Sequence, residues 1–200
     1  YQNTANGYTA LYYNTTGYYN TANGYAALYS NTTGNYNTAM GMNTLYYNVS
    51  ATSSTAIGFR AGQGTASYNA GELTLVGTDA LYSITTGAEN VTALGYRAGY
   101  ANTSGANNIY LGYQAGDNVT TGSNNIILGY DIDAPSATSA NTLNIGNLIF
   151  GTGINGTGTT LSTGNVGIAS TTPGATLSVV GTGAFDSWLS ADYFLATSTT

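Results

Sequence analysis

The sequence predicts an all-β protein, a parallel β-solenoid or β-roll with coils of about 17 residues. Three observations predict this fold: a repeat of that period, alternation of side chains within each unit, and polar turns that end in glycine. Short repeats at a fixed period are typical of architectures in which each unit stacks on the next. We therefore expect a rod of stacked coils.

The repeat is anchored on a glycine. Its successive copies are separated by 17, 17, 17, 19, 18, 17, 17 and 17 residues. A unit of this length is too short for a helix–turn–helix repeat, which needs about 33 residues. Stacking places each residue about 4.8 Å from its copy in the next coil, which explains near-identical units such as "TANGYTALYYNTTGYYN" (4–20) and "TANGYAALYSNTTGNYN" (21–37). The anchors are Gly7, Gly24, Gly41, Gly58, Gly77, Gly95, Gly112, Gly129 and Gly146.

Each unit contains a short strand around its anchor. In residues 109–112, Ile109 and Leu111 alternate with Tyr110 and Gly112, which is the period of two expected of a strand. We expect the inward positions to hold mostly Ala, Leu, Ile and Gly. No window has a helical period.

In five of the units, a polar turn follows the strand and ends in a second glycine ten residues after the anchor. Examples are "NTTG" (14–17), "ITTG" (84–87) and "NTSG" (102–105). Asn, Thr and Ser favour turns, and we expect the glycine to supply a positive φ at the corner.

The chain divides into two parts. Residues 1–150 form the repeat shaft, and residues 151–200 form a Gly/Thr-rich connector with a short β junction to a following module. A short apolar strand is expected from Leu177 to Val180. The aromatic residues of the last segment either pack about an oligomer axis or form a ligand-binding patch: Phe185, Trp188, Tyr193 and Phe194. The sequence begins within a repeat, so we interpret it as a piece of a longer protein.

The composition makes several functions improbable. Charged residues make up 5 % of the chain, against about 25 % in typical soluble domains. With only two cations, there is no basic patch to neutralise the phosphates of a nucleic acid. His and Cys are absent, so the usual zinc sites and nucleophile–base pairs are missing. No apolar run approaches the ~20 residues of a membrane span. A surface of Asn, Thr, Ser and Tyr suits an extracellular protein.

Association is expected as well. A thin coil buries little apolar area against a backbone entropy of about 1–2 kcal/mol per residue. Packing of several chains along the rod would supply the missing core, and we expect a homotrimer.

Several units resemble a known group of proteins. "NNIYLGYQAG" (107–116), "STAIGFRAG" (54–62) and "NVTALGYRAG" (90–99) resemble the β-roll head repeats of trimeric autotransporter adhesins. "TANGYAALYSNTTG" (21–34) is similar to repeats of phage tail fibres and bacterial surface proteins, and "GNVGIASTTPGATLSV" (164–179) resembles a tail-fibre segment, with Ala169 in place of the usual Gly. The resemblance implies a parallel homotrimer on a cell or virion surface, serving as an adhesin or tail-fibre shaft.

Two acids near the end of the shaft are candidate ligands. Asp131 and Asp133 lie at i and i+2 and are expected on the same side of a strand. Copies from three chains could bind Ca²⁺, or the pair could act like the carboxylates of a glycosidase. The alternative is a solvated edge before Pro135. An enzyme needs convergent carboxylates, and we expect these acids to be too dispersed: Glu72, Asp79, Glu89, Asp117, Asp131 and Asp133. We therefore predict no catalytic residues and no cofactor beyond this weak calcium candidate.

The two cations, Arg60 and Arg97, occupy the same place, two residues after their anchors. We expect them to point outward, with Glu72, Glu89 or Asp131 as partners, and a sugar-binding role is the alternative.

Tyrosines crowd the first three units, where they either stiffen the fibre as ladders or bind sugars or proteins. They are Tyr8, Tyr12, Tyr13, Tyr18, Tyr19, Tyr25, Tyr29, Tyr36, Tyr46 and Tyr47. Seven N-x-[ST] sites are candidate glycan acceptors, or simply good turn sequences. They are Asn14, Asn31, Asn48, Asn90, Asn102, Asn118 and Asn155.

These patterns predict a structural segment of an extracellular fibre that mediates surface attachment, with partners limited to itself and a host-surface glycan or protein. Two alternatives remain open: a self-assembling extracellular filament, and a β-helical protein that binds or processes carbohydrate.

Overall fold

The protein is a parallel β-solenoid without helices over residues 2–180, the part of the chain that the structure, a computed structural model, describes. The all-β prediction is therefore confirmed. One sheet contains twelve strands of three residues each, in chain order. They are β1 (Thr4–Asn6), β2 (Thr21–Asn23), β3 (Thr38–Met40), β4 (Thr55–Ile57), β5 (Thr74–Val76), β6 (Thr92–Leu94), β7 (Ile109–Leu111), β8 (Ile126–Leu128), β9 (Leu143–Ile145), β10 (Ile149–Gly151), β11 (Val166–Ile168) and β12 (Leu177–Val179).

The register of the sheet equals the repeat of the sequence. Strands β1 to β9 pair in parallel, and each residue pairs with its own copy, as Thr21 does with Thr38 and Ala22 with Ala39. The spacings of 19 and 18 keep this register, since Thr74 pairs with both Thr55 and Thr92. The extra residues therefore lie in the turns, and the predicted coil length of about 17 residues is confirmed.

Hydrogen bonds between coils continue around the corners, outside the strands. The amide of Gly41 donates to the carbonyl of Asn23 over 2.8 Å, and the amide of Leu45 donates to Ala61 over 3.0 Å. Because the backbone bonds to its neighbour on several sides of the coil, consecutive coils must have the same shape. This requirement explains the similarity of the units.

The corners depend on left-handed backbone at several positions in each coil. The anchor glycines from Gly7 to Gly129 have φ between +132° and +142°, while buried leucines such as Leu28 and Leu45 have φ of 50° and 51°. Among the glycines that end the polar turns, Gly87 has the expected positive φ of 105°, whereas Gly34 lacks one. A Cβ there would instead collide with the carbonyl oxygen of Ala51 in the next coil. Close approach, and not φ, requires this glycine.

The core lies inside the coil and is filled from two sides. The middle residue of each strand from β2 to β11 is buried, for example Ala22 in β2, Tyr110 in β7 and Ile127 in β8. Leucines from the opposite corner, among them Leu28 and Leu45, meet them there. The aliphatic residues just before the anchors point outward, so the inward set contains fewer Leu and Ile residues than we expected.

A column of buried asparagines holds one corner of the rod. The Nδ2 of Asn37 donates to the carbonyl of Ala51 over 2.8 Å, and its Oδ1 accepts from the amide of Ser54 over 3.1 Å. The amide of Asn37 in turn donates to Oδ1 of Asn20. Buried amides of this kind satisfy backbone groups that the turn leaves without partners. Asn20 and Asn37 occupy this position in the early coils and Asn108 and Asn125 in the late ones, while Ser54, Leu73 and Val91 occupy it in between.

The parallel stacking ends at β9. Strand β10 runs antiparallel to β9 and to β11, and β12 is parallel to β11. The sheet therefore continues past residue 150, and a strand lies at Leu177–Val179, as the sequence predicted. The predicted aromatic cluster of residues 185–194, which comprises Phe185, Trp188, Tyr193 and Phe194, lies outside the described residues. No helix in the described part is long and apolar enough to cross a membrane.

Candidate functional site

The two cations of the chain meet at one buried acid. Arg60, Asp79 and Arg97 each lie two residues after an anchor glycine, so the stacking places them in one column on three consecutive coils. Arg60 donates from Nε and Nη2 to the two carboxylate oxygens of Asp79, over 2.7 and 2.8 Å. The Asp79 side chain is only 3 % exposed. This bidentate geometry is the strongest form of Arg–carboxylate pairing.

Arg97 approaches the same acid without bonding to it. Its Nε lies 3.9 Å from Oδ2 of Asp79, and its guanidinium lies over the rings of Tyr96 and Tyr100, with 5.4 and 4.8 Å to the ring centroids. Arg60 lies in the same way over Phe59 and Tyr82. Both guanidiniums are thus held between aromatic rings by cation–π contacts.

The predicted partners of the arginines were wrong. We expected Glu72, Glu89 or Asp131, whereas the partner of Arg60 is Asp79. The signal was present in the sequence, because Asp79 follows its anchor Gly77 at the same distance at which Arg60 follows Gly58. Residues that share a position in the repeat become neighbours about 4.8 Å apart.

Tyrosines form stacked columns along the first three coils. Tyr12, Tyr29 and Tyr46 stack with centroids 5.5 and 4.8 Å apart, and Tyr8 stacks on Tyr25 at 5.5 Å. In such a column the ring faces cover one another and the edges point outward. Sugars stack on ring faces, so this arrangement favours the stiffening ladder over the sugar-binding face.

Crowding also changes the acidity of one phenol. The hydrogen bond with Tyr13, together with burial and the neighbouring phenols, raises the pKa of Tyr29 to about 12. Tyr29 therefore stays neutral up to strongly alkaline pH.

The outer face of the sheet has no charged residue and carries an apolar strip beside a row of threonines, the first residues of β1 to β6. The residue just before each anchor points outward, and from the third coil onward it is aliphatic. In β7 to β9 the first strand residue is aliphatic too. Six of these side chains expose 36–46 % of their surface: Met40, Ile57, Val76, Ile109, Leu111 and Ile145. A continuous exposed apolar strip of this kind marks an interaction surface.

Three of the six acids in residues 1–150 lie close together at the end of the shaft: Asp117, Asp131 and Asp133. Asp131 and Asp133 are exposed on either side of the buried Ile132, but they belong to no strand, contrary to our expectation. Both line an open cavity of about 380 Å³ with Pro135 and Phe150. Burial raises the pKa of Asp133, and Asp117 and Asp131 add to the effect. The acids are thus less dispersed than we expected.

This acidic cluster should give the rod a measurable pH dependence. The pKa of Asp133 is higher in the folded chain than in the unfolded chain, so folding favours its protonated form. Stability is therefore expected to rise as pH falls from 7 through the folded pKa, and to level off at the unfolded pKa. Asp133→Asn should raise the thermal midpoint at pH 7 and flatten its change between pH 7 and 4.

Thermal unfolding followed by circular dichroism at constant ionic strength measures this effect. Glu89→Gln, at an exposed acid in another coil, is the control and should retain the wild-type change with pH. An Asp133→Asn midpoint that still rises on acidification as strongly as wild type would contradict the assignment.

Metal ligands were predicted only at Asp131 and Asp133. Across the part of the chain that the structure describes, no group of three or more His, Cys, Asp or Glu residues is arranged to hold a metal ion. Calcium at these two acids would need further ligands, such as those from neighbouring copies in the predicted trimer.

A second concave region contains two glutamates. Glu72 and Glu89 line an open cavity of about 200 Å³ together with Asn69 and the turn at 50–52. The cavity adjoins the longer turns of the 19- and 18-residue units. Both carboxylates are exposed, and nothing else there points to a ligand.

The candidate glycan acceptors divide by burial. Asn31, Asn48 and Asn102 are fully buried, and Asn102 bonds to both backbone groups of Gly105 in its own turn. A glycan on such a buried amide would have to leave the coil, so these three cannot be acceptors in the folded rod. Asn14 and Asn118 are half-buried and donate to backbone carbonyls. Asn90 and Asn155 are exposed.

Comparison with known proteins gives no match: no family model, no curated protein and no solved structure matches this chain.

Proposed function

We propose that this chain is a structural segment of an extracellular fibre, a shaft that mediates surface attachment and performs no chemistry of its own. A rod of stacked coils provides reach, and its polar, weakly charged surface suits the exterior of a cell or virion. The observation that carries the proposal is the apolar outer face of the sheet, which runs along the rod through β3 to β9.

This face supports assembly with other copies of the same chain. Strands β1–β9 contain no charged residue, so identical faces can approach without repulsion. Each strand has three residues, so the outer face of the sheet is about 10 Å wide. Three narrow faces can close around an axis parallel to the rod and bury every copy of the strip. We therefore propose a parallel homotrimer.

Solution mass tests the assembly. Light scattering should give three times the chain mass of 20.4 kDa, with crosslinks between equivalent residues. A monomeric rod at micromolar concentration would overturn the trimer. Open-ended polymers would instead support the alternative of a self-assembling filament.

A lysine on the outer face should break the assembly without unfolding the coil. Leu111 is 46 % exposed and lies outside the core of its own chain, so Leu111→Lys leaves that core intact. In the trimer it would bury three unpaired ammonium groups, which costs several kcal/mol. We expect the trimer dissociation constant to rise at least about 100-fold, with an unchanged circular dichroism spectrum.

The matched control is Thr121→Lys, an exposed turn position in the same coil. It adds the same charge away from the sheet face and should leave the mass at that of the trimer. Equal masses for Leu111→Lys and wild type would show that association uses another surface.

A second candidate function, carbohydrate processing, is favoured by the acidic cluster alone. An aspartate with a raised pKa beside other aspartates is the arrangement of a glycosidase acid and its partner. Polysaccharide hydrolysis by the wild-type chain that disappears in Asp133→Asn would support this function, and the absence of hydrolysis would leave the structural role.

A further inference from the structure

The cluster of Arg60, Asp79 and Arg97 is incomplete. Two guanidiniums and one carboxylate leave a net charge of +1 in a chain whose net charge is −6. Both oxygens of Asp79 already accept hydrogen bonds from Arg60. One cation of the cluster therefore has no anion of its own.

That cation is Arg97. Among residues 2–180, its Nε is buried and has no hydrogen-bond partner. Its side chain is nevertheless 39 % exposed, and the terminal Nη1 and Nη2 are not among the buried atoms without partners. The terminal pair of nitrogens thus faces solvent, while the rest of the group is held in place. Leaving the buried Nε without a partner is unfavourable, while the terminal N–H groups stay accessible to a ligand.

The residues around Arg97 fix the orientation of its guanidinium, a planar fork of N–H donors. The rings of Tyr96 and Tyr100 hold the guanidinium, and Tyr100 is itself stacked on Tyr82 at 5.2 Å. The Asp79 carboxylate, 3.9 Å from Nε, attracts the inner end of the group. A planar fork that is oriented before binding loses little entropy when it pairs with a carboxylate.

We propose that Arg97 is a binding site for the carboxylate groups of an acidic polysaccharide. A carboxylate matches the two terminal N–H groups in a bidentate pair. The rings of Tyr96 and Tyr100 lie against this guanidinium, and both carry a hydroxyl group that can hydrogen-bond to a sugar. Neither of the two cavities described above is lined by Arg97, so a peptide side chain would gain no pocket.

This inference rests on the proposed role in surface attachment. The binding site itself, however, is formed by residues of a single chain and does not need the trimer. Oligomer mass and ligand binding can therefore fail independently. A monomeric rod that binds the acidic polysaccharide would overturn the trimer and keep this site, and a trimer that does not bind would do the reverse.

Calorimetric titration with four polymers in 150 mM salt tests the ligand class. Polygalacturonate, which carries one carboxylate on each sugar, is expected to bind, while neutral dextran is not. Equal binding of dextran sulfate would show a generic polyanion contact, and equal binding of polyglutamate would show that the sugar is not recognised. Either result would overturn the proposal.

Variants test the residue. Arg97→Gln reproduces the residue of the next coil, Gln114, and should fold while weakening polygalacturonate binding at least about tenfold, the effect of losing a charge-assisted pair. Thr121→Asp makes the same change in net charge away from this cluster and should bind as wild type does. Full binding by a folded Arg97→Gln chain would overturn the site.

Arg60→Gln gives an independent result. It frees both oxygens of Asp79 for Arg97, which lies 3.9 Å away, so the remaining pair becomes neutral. Binding should fall although Arg97 is still present. Undiminished binding by this variant would show that the unpaired state of Arg97 is irrelevant.

Discussion

Gly58→Ala is expected to destabilise the rod by more than about 3 kcal/mol, which for a chain of this size lowers the thermal midpoint by roughly 10 °C. Gly58 has φ +136°, a region that side chains with a Cβ rarely adopt. A Cβ built there lies 2.5 Å from the carbonyl oxygen of Gly77. Because that oxygen is backbone of the next coil, no rotamer change relieves the collision.

Urea and thermal unfolding followed by circular dichroism measure the loss. The ninth anchor provides the control, since Gly146 has φ +60° and its Cβ would meet nothing within 4 Å. Gly146→Ala should therefore cost only about 1 kcal/mol, the penalty of the left-handed region for alanine. Equal losses at the two glycines would mean that neither the φ of +136° nor the close approach to the next coil is what requires Gly58.

The anchors were predictable because stacking acts on sequence position. Each of the nine glycines repeats within two residues of the same period, and the strand register follows that period even where it lengthens. The close approach between stacked coils recurs in every coil, so every unit of the sequence has a glycine at that position. For the same reason the coil length and the parallel pairing followed from the sequence alone.

The sequence did not predict which side of each strand faces the core. In β7 all three residues, Ile109, Tyr110 and Leu111, are apolar, so a period of two cannot tell inside from outside. The better signal was size, because the middle position is Ala in most units and only a small residue fits against Leu28 or Leu45. Arg97 illustrates a related limit, since an unpaired cation is visible only once Asp79 is placed in its column.

The reversal after β9 had a local signal. Gly146 and Asn147 have φ of 60° and 55°, and the amide of Leu148 donates to Ile145 over 3.0 Å. This is the geometry of a type I′ turn, for which Gly and Asn are favoured residues. Because Gly146 fits the period of the repeat, we predicted it as a ninth anchor and did not predict the hairpin.

Tyr110→Ala should open a cavity in the sixth and seventh coils and destabilise the rod by about 3–5 kcal/mol. Tyr110 is fully buried, and its hydroxyl accepts a hydrogen bond from Nδ2 of Asn102 over 3.1 Å. Its ring occupies the space beside Gly99 and Gly116, where a Cβ would collide with it. Tyr113→Ala, at an exposed ring of the same coil, is the surface control and should cost far less.

The earlier coils indicate how this cavity can be refilled. There the middle strand residue is Ala, as at Ala22, and the position six residues later is a leucine, Leu28, with φ of 50°. Gly116 occupies that second position in the seventh coil and has φ +65°, so leucine fits its backbone. Gly116→Leu alone should destabilise by overpacking against Tyr110.

Combining the two changes should restore the packing of the early coils, because the leucine takes the volume that the ring vacates. We expect the double variant to be more stable than the sum of the single losses by about 2 kcal/mol, which is within the range for residues in contact. Urea unfolding of wild type, the two single variants and the double variant gives the four free energies of this double-mutant cycle. Strict additivity would mean that the strand and corner positions do not share one space, and that the exchange of Ala22 and Leu28 for Tyr110 and Gly116 between coils has another cause.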